Sequence, residues 1–238
     1  MTAAHDRGPG DAARWPAIAV MAKVPNAEAV KSRLYPALGS RLATQLYEAL
    51  LLDRLDALKA LGGVERLVAF TPPEARSEMA RLAPLGFTLV AQRGRDLGER
   101  LDALLTELIS RGHPGAIAVD SDSPTLPMAY VSDAARVLAK GMADAVLGPC
   151  DDGGYYLIGL RAPHPELFEA IPWSTEQVLS LTLERARRAG LRTHLLPPWF
   201  DVDTEADLRR LHEEMERSGT GPSRTFGLVR EIFHSAGR

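Results

Sequence analysis

Short apolar runs of β type alternate with longer segments of helical periodicity along nearly the whole chain. That alternation confines it to an α/β protein built on a mostly parallel sheet. The first run, Ala17 to Ala22 (AIAVMA), is apolar at every position, as a strand covered on both faces requires. A helix is predicted from Gly39 to Ala60, where Leu42, Leu46 and Leu50 recur at helical spacing, and Gly62-Gly63 ends it. Strand Arg66 to Thr71, helix Pro73 to Leu82 and strand Phe87 to Ala91 follow. Asp96 and Glu99 form a capping-box pattern before a helix carrying Leu101, Leu104, Leu105 and Leu108. The fourth strand, Ala116 to Asp120, breaks into SDSPTLP, whose prolines stop the strand and open a helix to about Lys140.

Ala143 to Gly148 and Tyr155 to Leu160 are strands joined by CDDGG, too short for a parallel crossover of a dozen residues. They cannot be parallel neighbours. Ser174 and Gln177 suggest a second capping box before a helix ending at Gly190. Arg192 to Leu196 is the last strand, and a final helix spans Glu205 to Met215. With 238 residues, 45% hydrophobic and 25% charged, the chain can bury one large core. The division expected is a disordered leader over 1–14, one domain over 15–217, and a tail over 218–238 that packs on the domain or trails from it.

Lys and Arg number 28 against 31 Asp and Glu, so the net charge of −3 provides no general field for nucleic acid or anionic lipid. A single cysteine, Cys150, excludes an internal disulfide framework and suits a reducing cytoplasm. Neither a signal-peptide core nor an apolar run long enough for a membrane span is present.

Four segments could carry chemistry. Lys23, Lys31 and Arg33 follow the first strand, where α/β sheets place ligands, and could clamp a diphosphate or form a solvated basic loop. Neither G-x-G-x-x-G nor the Walker pattern occurs there. Asp120 and Asp122 would share one side if the fourth strand persisted to 122, and could then hold Mg²⁺ or Mn²⁺; alternatively Asp122 or Ser123 caps the next helix. Asp151 and Asp152 precede Gly153 and Gly154, glycines that positive φ in a turn would explain. The two acids could meet a sugar hydroxyl, hold a metal or act as a base. Asp203 or Thr204 reads as an N-cap, a role compatible with a second carboxylate oxygen facing a cleft. The six histidines show no metal-ligand spacing, and Cys150 reads as a packed residue.

The segment Lys23 to Leu34 (KVPNAEAVKSRL) resembles the K/R-x-P-x-x-G-x-x-K-T/S-R-L loop of the DUF2064 family, a GT-A-type branch of the nucleotide-diphospho-sugar transferases. The resemblance continues through QRGRDLGER (Gln92 to Arg100), SDSPTLP (Ser121 to Pro127), GPCDDGGYYLIGL (Gly148 to Leu160), PWST (Pro172 to Thr175) and DVDT (Asp201 to Thr204). It implies a single GT-A/Rossmann-like domain with a mixed, mostly parallel sheet of about seven strands flanked by helices. It further implies that Lys23, Lys31 and Arg33 meet donor phosphates, and that Gln92 and Gly98 line the base pocket. By the same resemblance Asp122 and Asp203 would hold Mg²⁺ or Mn²⁺, and Asp152 and Tyr155 would face the acceptor; the residues themselves add Asp120 as a further metal candidate and Asp151 as a further catalytic one.

Two positions depart from the family pattern. Glu28 stands where glycine is usual, and is expected to turn outward into solvent. Asp120 stands where the family's strand often ends in glycine, and creates a D-x-D. The implied activity is metal-dependent glycosyl transfer from a nucleotide sugar to a small-molecule acceptor. Nucleotidyl transfer from an NTP with release of pyrophosphate is the alternative. A catalytically weak nucleotide-binding protein is a third reading, motivated by Glu28.

Overall fold

The computed structural model describes residues 15–236, so the leader expected over 1–14 lies outside the described residues. Seven strands, β1 (Ala17–Lys23), β2 (Arg66–Thr71), β3 (Thr88–Ala91), β4 (Ala116–Val119), β5 (Ala145–Pro149), β6 (Tyr155–Leu160) and β7 (Thr193–Leu195), form one sheet in the order β3-β2-β1-β4-β6-β5-β7. All neighbouring pairs are parallel except those of β6, which runs antiparallel to both β4 and β5. The short CDDGG connection therefore joins an antiparallel pair.

Seven helices flank the sheet: α1 (Tyr35–Lys59), α2 (Arg76–Leu82), α3 (Leu97–Ser110), α4 (Met128–Ala139), α5 (Val178–Arg188), α6 (Glu205–Ser218) and α7 (Ser223–Ala236). Strand alternation assigns the two faces. Ile18, Val20, Val68 and Phe70 meet Leu51, Leu55 and Leu58 of α1, Met79 of α2 and Val131 of α4. Ala17, Ala19, Leu67 and Ala69 meet Leu101, Leu104, Leu105 and Leu108 of α3 on the other side. The small alanines of β1 let α3 approach the sheet closely. A third apolar layer lies outside α1, where Leu46 and Leu50 pack with Leu208 and Leu211 of α6 and Val229 of α7.

Local details depart from the sequence reading in three places. Helix α1 starts at Tyr35, four residues before the expected Gly39, with Gly39 (φ 73°) forming a kink between this first turn and the main helix. Asp96 caps α3 by accepting from the Glu99 amide at 2.9 Å, but the Glu99 carboxylate reaches the Arg95 amide, so the box is half formed. The Ser174/Gln177 box is absent, because Ser174 is left-handed (φ 65°) and Gln177 caps α5 without a side-chain bond. The backbone there turns away before α5 starts.

Candidate active site

Because β6 alone is reversed, the carboxyl ends of the other six strands open at one edge, and the segments after β1, β2, β3, β4, β5 and β7 gather there. β1 lies between β2 and β4, so successive connections leave it in opposite directions and a crevice opens beside its end. A cleft of about 600 Å³ occupies this position, lined among others by Lys23, Lys31, Arg33, Gln92, Asp122 and Asp203.

Hydrogen bonds on strand ends build its floor. The Lys23 amide donates to the Tyr47 hydroxyl of α1 at 2.8 Å, and that hydroxyl lies 3.1 Å from Ser121 Oγ. Tyr47 thus ties the basic loop to the loop after β4. Gln92 donates from Nε2 to the carbonyls of Ala22 at 3.1 Å and Ala69 at 2.7 Å, so its amide nitrogen braces β1 and β2.

β4 ends at Val119, three residues short of Asp122, so Asp120 and Asp122 do not share a strand face. Asp120 turns toward α1: its carboxylate accepts from Ser123 Oγ and lies 3.8 Å from the Arg54 guanidinium. Arg54 is 1% exposed and also donates to the Ser123 carbonyl. Burial raises Asp120 to about 6, with the Arg54 charge opposing the rise and Asp122 adding to it. Asp120 anchors its loop and is partly exposed, lining the cleft beside Asp122. That differs from the shared-metal geometry the D-x-D pattern suggests.

Asp122 faces the basic loop instead. The amide of Val202 donates to the Asp122 carbonyl at 3.0 Å, which draws the segment after β7 against the segment after β4. Asp203 thereby comes opposite Asp122, and the Lys31 ammonium lies between them, 3.0 Å from Asp122 Oδ2 and 2.7 Å from Asp203 Oδ1. The Lys31 side chain is only 3% exposed. Burial alone would lower its pKa, but the two carboxylates outweigh it and hold the ammonium well above the ordinary lysine value. For Asp203 burial acts upward, yet Lys31 prevails and the carboxyl titrates below its usual range. Arg33 stands at the rim, 3.5 Å from Asp203 Oδ2, and is largely exposed. Thr204, not Asp203, caps α6 in a complete box with Asp207, leaving both Asp203 oxygens for the cleft.

The remaining sequence candidates lie apart. Gly98 is buried beneath the Trp173 indole, which a Cβ would strike at 2.7 Å, and it does not line the cleft; Leu97 and Arg100 do. Tyr155 packs into the α3 side of the core with its hydroxyl buried. Asp151 pairs with Arg210 of α6 at 2.6 Å. Asp152 accepts from the Gly154 amide at 2.8 Å. Gly153 needs its glycine twice over, for a φ of 87° and for a Glu176 carbonyl 2.2 Å from where a Cβ would lie, whereas Gly154 has no positive φ. Cys150, Asp152 and Asp201 bring one ligand atom each within 4.8 Å of one another. Burial, reinforced by the Asp203 and Asp152 charges, raises Asp201 to about 7. Glu28 neither turns into solvent nor meets Lys31 or Arg33; it is half-buried and accepts from Thr71 Oγ1 at 3.4 Å.

Tyr47, Arg54, Thr71 and Arg100 escaped the sequence reading. A signal existed for two of them, since Tyr47 and Arg54 interrupt an otherwise apolar stripe of α1. As for a metal, Asp122 and Asp203 direct two carboxylate oxygens at a single cationic centre, a hard donor set that suits Mg²⁺ or Mn²⁺.

The reversed β6, the crevice beside β1 and the facing cations and carboxylates define the Rossmann-like fold class of nucleotide-dependent transferases. Within it, the chain belongs to the DUF2064 family, described as "Uncharacterized protein conserved in bacteria", whose model matches residues 54–175. A crystal structure from Desulfovibrio desulfuricans G20, assigned as a nucleotide-diphospho-sugar transferase, is 33% identical, with a TM-score of 0.83 over 91% of this chain and 94% of that one. The inositol-1-phosphate CTP transferase of T. maritima superposes with a TM-score of 0.54 at 14% identity, covering 91% and 96% of the two chains. The 4-diphosphocytidyl-2C-methyl-D-erythritol synthase of Anaerococcus prevotii gives 0.52 at 8% identity over 84% and 96%. These last two are likenesses of fold. No curated protein matches the chain. No helix among the described residues is long and apolar enough to cross a membrane.

Proposed function

We propose that the chain is a metal-dependent glycosyltransferase that binds a nucleotide diphospho-sugar in the cleft beside β1 and passes the sugar to a small-molecule acceptor. The observation that carries this reading is the opposition, across one crevice, of Lys23, Lys31 and Arg33 to Asp122 and Asp203. Arginine offers a planar fork and lysine a mobile point charge, the complement that a diphosphate needs. Gln92 borders the part of the cleft left for the base, together with the exposed side chain of Leu97. Asp122 and Asp203 would hold the Mg²⁺ or Mn²⁺, which supplies neutralisation of the charge that develops on the departing diphosphate. Asp152, beside Asp201 at the same sheet edge, is assigned to the acceptor side. Asp151 has a structural partner in Arg210, and Tyr155 lies in the core, so neither is assigned to the reacting groups.

Nucleotidyl transfer is the second reading. Its support is the likeness of fold to the inositol-1-phosphate CTP transferase. The two differ in their products. Incubation with Mn²⁺ and panels of nucleotide sugars and NTPs separates them: nucleoside diphosphate release supports glycosyl transfer, and pyrophosphate release supports nucleotidyl transfer. Binding without either product favours the nucleotide-binding reading and overturns both.

A further inference from the structure

Asp122 and Asp203, each about a third exposed, face each other closely enough to repel unless a positive charge lies between them, and this protein supplies one from its own chain. Lys31 Nζ lies within 3.0 Å of both Asp122 and Asp203, almost wholly shielded from solvent. Its position is closely specified. The residue holds a left-handed backbone (φ 50°, ψ 39°), uncommon for a side chain without local hydrogen-bonding capacity, and buried Val30 and Leu34 anchor the loop on either side. A third acid at this edge of the sheet, Asp120, has a cation of its own in Arg54.

A divalent ion held between Asp122 and Asp203 would compete with the ammonium for the space and the carboxylate charge that now hold it. The two cations cannot occupy that point together. Given the nucleotide-transferase reading, on which this step rests, we infer that Lys31 is a resident counter-cation that keeps the metal site closed until a diphosphate arrives to receive its ammonium. Metal and diphosphate would then enter as a coupled pair: the anion removes the lysine from the carboxylates, and the metal replaces the lost charge. The metal alone has nothing to draw Lys31 away. This assigns to one side chain both the phosphate contact implied by the family loop and the carboxylate contacts observed.

Mn²⁺ binding, followed by electron paramagnetic resonance of the free ion, tests the exchange without turnover. Lys31→Met, which keeps the length and removes the charge, is expected to bind Mn²⁺ alone at least tenfold more tightly than the wild type. Inorganic pyrophosphate should tighten Mn²⁺ binding by the wild type tenfold or more, after correction for the Mn²⁺ that pyrophosphate itself binds, and that of Lys31→Met less than threefold. Asp203→Asn placed in the Lys31→Met background should abolish the gain, locating it at this site. Equal Mn²⁺ affinities in the two proteins, or equal pyrophosphate effects, would overturn the inference. So would a wild type indifferent to pyrophosphate.

Lys31→Met exposes two carboxylates to mutual repulsion and is expected to melt below the wild type, so thermal melting provides a second measurement. Mn²⁺ should raise its midpoint by several degrees more than that of the wild type. Equal shifts, or a variant that stays unfolded even at millimolar Mn²⁺, would show that a metal cannot take the place of the ammonium. Failure of the transferase reading looks different: it appears as absent nucleoside diphosphate and pyrophosphate release, whatever the Mn²⁺ comparison shows.

Discussion

Asp203 carries two potential duties that the structure separates. Since Thr204 and Asp207 provide the cap of α6 and Asp122 still pairs with Lys31, Asp203→Asn should cost only about 1 to 2 kcal/mol of stability, through the weakened Lys31 pair, while weakening Mn²⁺-dependent nucleotide binding at least a hundredfold. Calorimetric titration beside urea unfolding checks this, and proportional losses in both would return Asp203 to a structural role. Arg54 makes the opposite case. It is a buried cation facing Asp120, so Arg54→Met leaves a carboxylate without its partner and should cost roughly 3 kcal/mol. Adding Asp120→Asn should recover at least about 1 kcal/mol, because the two residues are coupled. A strictly additive double variant would show that the pair contributes nothing beyond packing. Tyr47 and Arg54 stand out in the sequence as polar breaks in the α1 stripe, but their partners, Ser121 and Asp120, are about 70 residues away, and no local pattern names them.

Helix α7 draws an acceptor for its first turn from a distant element. Asp53, on α1, accepts from the Thr225 amide at 2.8 Å and from the Arg224 guanidinium at 3.1 Å, so α1 supplies the missing acceptor. Within the tail expected from 218 onward, Ser223–Ala236 therefore form a helix that packs with α1 and α6, although the sequence reading stops the helices at Met215. Asp53→Ala should destabilise the protein by about 2 kcal/mol and make the C-terminal segment the first site of proteolysis. Limited digestion analysed by mass spectrometry would show whether cleavage begins elsewhere. At the far end of the sheet, Asp144 binds the Arg192 amide and guanidinium and ties the start of β7 to β5. The Arg192 hydrogen bonds lower the Asp144 carboxyl to about 2. A depressed carboxyl stabilises the fold above its unfolded value near 3.9, and that contribution fades as pH falls toward 2. Arg192 is more than half exposed, so the effect should be under about 1 kcal/mol. Asp144→Asn should lower the urea midpoint at pH 7 and leave it nearly unchanged, relative to wild type, at pH 2. A constant difference across that interval would exclude the linkage.

Across the protein, local chemistry and long-range packing contributed different things. The strand and helix succession was legible because side-chain periodicity is written in neighbouring residues: AIAVMA is apolar on both faces, and the leucines of α3 repeat at 3.6 residues. That β5 and β6 are not parallel neighbours was legible for the same local reason, since five residues cannot cross a sheet, but that they pair antiparallel was shown only by the structure. The basic loop, both acidic loops and the DVDT segment were equally visible as charged breaks at strand ends. Sequence alone could not say which of these charges meet. Lys31 reaches Asp203 over 172 residues because β7 pairs with β5 and the Val202 amide binds the Asp122 carbonyl. Asp120 and Asp122, two positions apart, take different partners because β4 stops at Val119 and the chain turns between them. Gly98, placed in the base pocket by its motif, is covered by a tryptophan 75 positions later in the chain. Periodicity depends on each residue's own side chain and its nearest neighbours, so the sequence determined the elements. Strand order and the closing of loops over one another depend on contacts between distant segments, so the pairing of Lys31 with Asp122 and Asp203 was settled only when the sheet assembled.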